Sequence, residues 1–295
     1  MGLWALFTVI ASAGQVARNA MQRELTTILG TVGATHVRFL FGLPFAVVFL
    51  GLVLVGTGMP LPSLGLAAFS WTLAGSIAQI GATALLLAAM RERSFVVTTA
   101  YAKTEPVQVA IFGLIFLGDR VTPAVALAIV IATAGVLLVS WPRKDAAQPF
   151  TWGPAVLGIA SGALFAIAAI GFRGGIRAVE TPSFVMAATF ILVLGLALQT
   201  AILTAYLAVT DRGTLVAIFH AWRPSLMAGF AGAFASQMWF LAFALETAAK
   251  VRTLALIEIL FAQVVSRNLF KQSLASREAL GIGLIIVGVV VLLNS

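Results

Sequence analysis

Long apolar runs broken by short polar connectors fill this chain from end to end, and they limit its fold more than any motif does. "LPFAVVFLGLVLVG" (43–56) and "FILVLGLALQTAILTAYLAV" (190–209) hold no charged residue. A helix that is apolar on every side belongs in a large core or in lipid. The charged share decides between these: 9% of 295 residues, against about 25% in an ordinary soluble domain. So few charges cannot cover a globular surface. The chain is expected to be an all-α integral membrane protein, whose natural unit is the span of about 20 residues.

Hydropathy predicts ten transmembrane helices, near 3–22, 33–55, 65–90, 95–117, 121–140, 152–172, 181–208, 225–246, 250–272 and 277–293. The connectors "GTGMPLP", "RERS", "GDRVTP", "RGGIRAVETP" and "DRGTL" carry turn or charge signals. The longest polar interruption, "PRKDAAQPFT" at 142–151, falls at the midpoint. It divides the chain into a first five-helix repeat (1–140), a connector (141–151) and a second five-helix repeat (152–295). Sliding the second half back by 153 residues places Glu258 on Glu105 and Gly288 on Gly135, and "ALGI" (279–282) on "ALAI" (126–129). "AGAFASQ" (231–237) resembles "AGSIAQ" (74–79), and "IAS" occurs at 10–12 and 159–161. Each match is short, but all keep one order along the chain. Five spans per unit make the second unit enter the membrane from the opposite side. The expected architecture is therefore two inverted repeats around a central cavity, the arrangement of alternating-access transporters.

The net charge of +8 lies in short connectors without a basic run. It predicts contact with lipid headgroups and a role in topology, not binding of nucleic acid. There is no cysteine, so disulfides and cysteine-ligated metals are excluded. With only His36 and His220, no histidine metal site is expected, and no cofactor is implied. "MGLWALFTVIASAG" lacks a basic leading region and reads as a first span rather than a cleaved signal. Leu6 makes Met1-Gly2 a poor myristoylation match.

The stretch "YAKTEPVQVAIFGLIFLGD" from Tyr101 places Lys103, Glu105 and Pro106 inside a predicted span. A charge at the bilayer centre costs roughly 2.5–3.5 kcal/mol on insertion scales. Tyr101, Glu105, Gln108 and Phe112 follow i, i+4, i+7, i+11 and share a face, whereas Lys103 points roughly 200° away from Glu105. Pro106 removes a backbone bond to Ala102 and is a candidate hinge. In the ninth span, Leu254, Glu258 and Phe261 share a face, with Glu258 the repeat counterpart of Glu105. The two carboxylates are candidates for substrate binding or proton coupling, since burial raises carboxylate pKa values. They could equally be paired with Lys103 or Arg252 and fix helix packing. In the first span Thr8, Ser12, Gln15 and Asn19 form a polar stripe, either cavity lining or interhelical glue. Gln15 and Asn19 suit an amino-acid carboxylate or amine, and Gln79 and Gln237 at near-matched repeat positions are candidates of the same kind. Trp4, Trp71, Trp141, Trp152 and Trp222 lie near span ends, where an interfacial belt is expected. Trp239 lies deeper and could stack on a substrate ring, and Tyr101 offers both a face and a hydroxyl. Arg38 is expected to be a snorkelling anchor.

Two segments carry a family pattern: "FLGDRVTPAVALAIVIATAGVLLV" (116–139) and "SREALGIGLIIVGVVVLL" (276–293). Both resemble the end of each half in the drug/metabolite transporter superfamily, where a Leu-Gly-Glu or Leu-Gly-Asp precedes a last helix with spaced glycines. The chain departs at Ala128, where glycine is frequent, and at Lys271-Gln272, which replaces Gly-Glu. "AYAKTEPVQ" is most similar to the aromatic amino-acid exporter branch. The resemblance implies a multi-pass protein of the bacterial inner membrane, working as a monomer. It would export aromatic and other neutral amino acids, or alternatively flat cationic drugs or other small metabolites. It also implies a central cavity lined by spans one, three, four, six, eight and nine.

An enzyme is not expected: the chain has no HExxH, no GxSxG and no Asp/His cluster for a catalytic metal. A channel usually needs a pore-lining ring or filter, and a duplicated odd-span unit fits alternating access better. Basic residues crowd connectors after odd-numbered spans, among them Arg23, Arg91, Arg143 and Arg212. The positive-inside rule would put those connectors in the cytoplasm and the termini outside, whereas the resemblance favours termini inside.

Overall fold

The computed structural model describes residues 2–92, 102–140, 152–259, 261 and 276–295. Every regular element among them is helical. In chain order these are α1 (Leu3–Leu40), α2 (Leu43–Thr57), α3 (Leu66–Glu92), α4 (Glu105–Phe112), α5 (Pro123–Ser140), α6 (Trp152–Arg177), α7 (Phe184–Thr210), α8 (Arg212–His220), α9 (Trp222–Leu245), α10 (Ala248–Leu254) and α11 (Ser276–Leu293). Five helical stretches among the described residues are long and apolar enough to cross a membrane: Leu25–Thr57, Leu66–Leu86, Val156–Arg177, Phe184–Thr210 and Trp222–Leu245. Glu105–Leu117 and Pro123–Val139 are shorter apolar helices. Two compact units form, one from Gly2–Ile80 with Gly171–Glu246 and the other from Gly81–Ile170 with Thr247–Ser295.

In the first unit, α1 is two arms joined at Gly30, whose φ of 66° and ψ of −175° leave helical space. Positive φ costs glycine nothing, so one residue reverses the chain and helix runs up to it on both sides. The sequence reading ended the first span near residue 22 and began the second near 33. The polar "QRELTT" is helical instead. Gln22 donates its side-chain amide to the Ala34 carbonyl at 3.0 Å, tying the arms together. Leu25, Leu29, Ala34 and Val37 fill the fold with Leu207, Ile218 and Ala228.

The second arm passes Phe41 and Gly42 into α2, where Pro44 occupies the first turn and its missing N–H leaves no helical bond unmade. Ala46 is the buried residue of α2, while Leu52 is 66% and Val55 87% exposed. Such a surface would be costly in water at about 25 cal/mol per Å²; hydrocarbon removes that cost. Gly171 and Gly175 of α6 bring its backbone onto α3. A methyl at Gly171 would stand 2.7 Å from Gly75 Cα, and one at Gly175 2.5 Å from the Thr72 hydroxyl. This is small-residue packing of the kind that joins membrane helices.

The connector containing "DRGTL" also departs from expectation, because α8 forms inside it. Asp211 caps α8, its carboxylate accepting the Thr214 amide at 3.1 Å and the Thr214 hydroxyl at 2.7 Å. Ile218 on its inner face is fully buried. A capped, one-sided helix of nine residues falls below the length that span-finding detects.

In the second unit, α4 continues through a wider turn, Gly113–Leu117, and stops at Gly118 in the left-handed region (φ 65°). The amide of Asp119 returns to the Gly113 carbonyl at 3.1 Å. This gives the Leu-Gly-Asp motif a physical role: glycine supplies the terminating conformation and the next amide closes the cap. Helices α5 and α11 meet through glycine. A methyl on Gly135 would lie 2.6 Å from the Gly281 carbonyl, and one on Gly288 3.0 Å from the Ala128 carbonyl. Ala132, Val136, Leu256 and Ile285 complete this core.

Candidate functional site

The charged residues of "AKTEP" lie in the second unit, where α4 meets α10. Glu105 opens α4 and Pro106 is beside it in the first turn, while Arg252 lies in the last turn of α10. An acid at a helix N-terminus and a base at a C-terminus each face the favourable end of a helix dipole. Arg252 Nε stands 3.1 Å from Glu105 Oε1. Lys103 pairs with Glu258. Both carboxylates are buried, Glu105 at 9% and Glu258 at 7% exposure. Lys103, in the turn before α4, and Glu105, at its start, thus serve different partners. The cation partners are the two weighed from sequence, Lys103 and Arg252. Charge neutralisation in pairs is what makes four ionised groups tolerable away from water.

One turn along α4, Gln108 is half-buried and its Oε1 is buried without a hydrogen-bond donor. Gly162 of α6 lets it approach, since a methyl there would lie 3.3 Å from that oxygen. An unsatisfied buried acceptor costs about 1–3 kcal/mol, so this oxygen gains from any donor that reaches it. Pro106 lies in the first turn of a helix here, and residues 93–101, Tyr101 included, lie outside the described residues.

The remaining candidates lie in the first unit. Thr8 and Ser12 donate to the carbonyls of Trp4 and Thr8 at 2.7 and 2.8 Å, so half of the polar stripe bonds back to its own helix. Gln15 accepts the Trp239 indole N–H at 3.2 Å. Trp239 is 4% exposed and its ring stacks near Phe243, with centroids 6.3 Å apart. Asn19 Oδ1 accepts from Arg18 Nε and Nη2 at 3.2 and 2.7 Å. Gln79 accepts from Gln199 at 2.7 Å, and Gln237 donates to Thr189 at 2.9 Å, leaving its own Oε1 without a donor. Both glutamines singled out by the repeat therefore bond to α7, at positions ten residues apart.

Arg38 does not snorkel. It is 6% exposed, and so close to α9 that a methyl at Gly232 would touch its Cγ at 3.3 Å. Arg18 at 7%, Arg173 at 8% and His36 at 0% are also buried. Arg173 donates to the Phe243 carbonyl at 3.0 Å, and His36 Nε2 meets the Thr204 hydroxyl at 3.0 Å. Arg18 and Arg173 were overlooked because charge was sought in connectors; their placement well inside helical segments was the available signal.

No protein-family model matches the chain, and no curated protein matches it. Among the solved structures similar to it is a crystal structure with a TM-score of 0.70 at 12% identity, over 98% of this chain and 94% of that one. At that identity the likeness concerns the fold alone.

Proposed function

We propose that this chain is a secondary transporter of the bacterial inner membrane that exports aromatic and other neutral amino acids by alternating access. Ten spans, arranged as two inverted five-helix halves at 1–140 and 152–295, are part of the same proposal. The observation that carries it is the crossed pairing of two buried carboxylates with two bases, Lys103 with Glu258 and Glu105 with Arg252, at the point where the start of apolar α4 meets α10. Ionisable groups held within membrane helices mark substrate or ion pathways. A scaffold alone would be served as well by apolar packing, which often replaces a buried ion pair without loss of stability.

The inverted halves draw support from α5 and α11. A shift of 153 residues exchanges Gly135 with Gly288 and Ala128 with Gly281. The approach of Gly135 to Gly281 and that of Gly288 to Ala128 are the same contact under this exchange. Such self-mapping is what a two-fold relation produces.

In the proposed cycle Glu105 and Gln108 receive the substrate ammonium. The Gln108 oxygen gains the donor it lacks, and Glu105 exchanges the guanidinium of Arg252 for the incoming cation. Purified protein in sealed proteoliposomes should move labelled Phe, Trp, Leu and Thr, with mutual competition, while Glu and Lys neither move nor compete. Runs with and without a pH gradient test proton coupling. Absence of flux for all four neutral amino acids in protein shown to be folded would overturn the reading, and flux of a flat aromatic cation alone would replace it with drug export.

A further inference from the structure

Helix α8 is too short to cross a membrane, and it joins α7 to α9, both long and apolar enough to do so. It therefore lies where spans end. Packing within the first unit fixes which way it faces. A methyl at Gly33 of α1 would stand 2.9 Å from Thr214 Cγ2 and 4.0 Å from Ile218 Cδ1, so these two residues form the inner face. Arg212, Val216 and Phe219, at i, i+4 and i+7, share the opposite one. Val216 is 57% and Phe219 60% exposed, and Trp222, where α9 begins, is 50% exposed. A surface helix bathed in water would turn a polar face outward; the outer face of α8 is apolar.

Arginine flanks this face on both sides. Arg212 is exposed and donates its Nε to the Ala208 carbonyl at 2.9 Å. The Arg223 guanidinium carbon lies 5.5 Å from the centroid of the Trp222 ring. Between residues 181 and 245 the sequence holds one acid, Asp211. Its carboxylate is taken up by the Thr214 amide and hydroxyl. Among the described residues neither arginine is paired with a carboxylate. Amphipathic helices with basic flanks settle at the boundary between acyl chains and headgroups, where arginine attracts anionic lipid and indole sits at headgroup level. We infer that α8 and the Trp222–Arg223 step form a binding surface for anionic phospholipid. Val216, Phe219 and Trp222 enter the acyl boundary, and Arg212 and Arg223 take the headgroup phosphate. The inference rests on α7 and α9 crossing a membrane, and it holds whatever the chain transports.

Lipid retention by the whole protein tests the charged half. Protein in detergent is mixed with equal amounts of phosphatidylglycerol and phosphatidylcholine, and the lipids it keeps are counted by native mass spectrometry. Wild type should keep phosphatidylglycerol at least threefold over phosphatidylcholine. Arg212→Gln combined with Arg223→Gln, both at exposed positions, should remove at least half of that preference. Arg120→Gln, at an exposed arginine of the other unit, should leave it unchanged. Equal retention of the two lipids by wild type would overturn the inference, and this comparison needs no variant to fold. A preference untouched by the double variant would also overturn it, by assigning the lipid to other bases. The apolar half is read by fluorescence. The difference between wild type and Trp222→Phe in phosphatidylcholine vesicles is the emission of Trp222 itself. In vesicles of brominated phosphatidylcholine that difference should fall at least twofold. An undiminished difference would place Trp222 in water and overturn the lipid surface.

Discussion

Glu105 Oε1 and Arg252 Nε lie 3.1 Å apart, yet neither atom completes an aligned hydrogen bond. Between these two atoms the attraction is therefore Coulombic rather than a directed hydrogen bond.

Glu105→Gln keeps the shape and removes the charge, leaving Arg252 without its carboxylate. The expected result is a loss of about 3 kcal/mol in stability, since removing one member of a buried pair strands the other. Adding Arg252→Gln should recover much of that loss. Melting in detergent reads this part. Flux on the same preparations reads the rest: the double variant should stay at least tenfold below wild type, about 1.4 kcal/mol. Normal flux in the double variant would reduce the pair to a packing device.

The α5–α11 contact offers a matched comparison on glycine. Gly135→Ala places a methyl where 2.6 Å separates it from the Gly281 carbonyl, and overpacking of this kind costs about 1–3 kcal/mol. Gly283 on α11 meets nothing within 4 Å. Gly283→Ala should therefore change stability by no more than about 0.5 kcal/mol. Equal melting temperatures for the two variants would contradict the close approach.

Gln199 is 1% exposed and donates to Gln79. Gln199→Leu should cost about 1 kcal/mol, the scale of interhelical hydrogen bonds in membrane proteins. Gln79→Leu combined with it should cost less than the sum of the two single changes, because the first change has already stranded the second group. Strict additivity in a double-mutant cycle would mean that the two amides do not interact.

Asp211 gives a pH dependence whose sign follows from its cap. The Thr214 hydroxyl, then the Thr214 amide, hold its carboxyl below the ordinary value of 3.8. A lowered folded pKa means that the contribution is fully present above the unfolded value and is lost as pH falls through the folded one. Asp211→Asn should flatten the acid limb of a melting profile taken from about pH 6 down to about pH 2. Thr214→Val should move the carboxyl back toward its usual range. An acid limb unchanged in Asp211→Asn would assign it to other groups.

Helices α3, α5, α7, α9 and α11 fall within about three residues of the segments that hydropathy predicts, because each is an apolar run closed by glycine, proline or charge. The first thirty residues were harder to read. "RNAMQRELTT" is polar enough to pass for a connector, but its Gln22 is satisfied by a carbonyl twelve residues away, a contact no local pattern announces. Helical geometry predicts that Lys103 and Glu105 diverge, and they do serve different partners, but Lys103 lies in the turn before α4 rather than on the helix. Their partners Glu258 and Arg252 could be weighed but not assigned, since pairing depends on which helix comes alongside. Arg38 was read as a snorkelling anchor and Arg18 was not singled out for a related reason: only the reversal at Gly30 places the two over the same glycine, Gly232 of α9.

The glycine contact between α5 and α11 has a consequence for how such a chain could arise. Under the proposed duplication, a single five-helix ancestor already carried a self-complementary face on its last helix. Two separate copies would have docked through it, and any substitution there would have struck both halves of the joint at once. Fusion into one polypeptide ended that coupling. Each copy of the face then became free to drift on its own, and under that duplication alanine at 128, where its repeat counterpart 281 is glycine, is a mark of that independence.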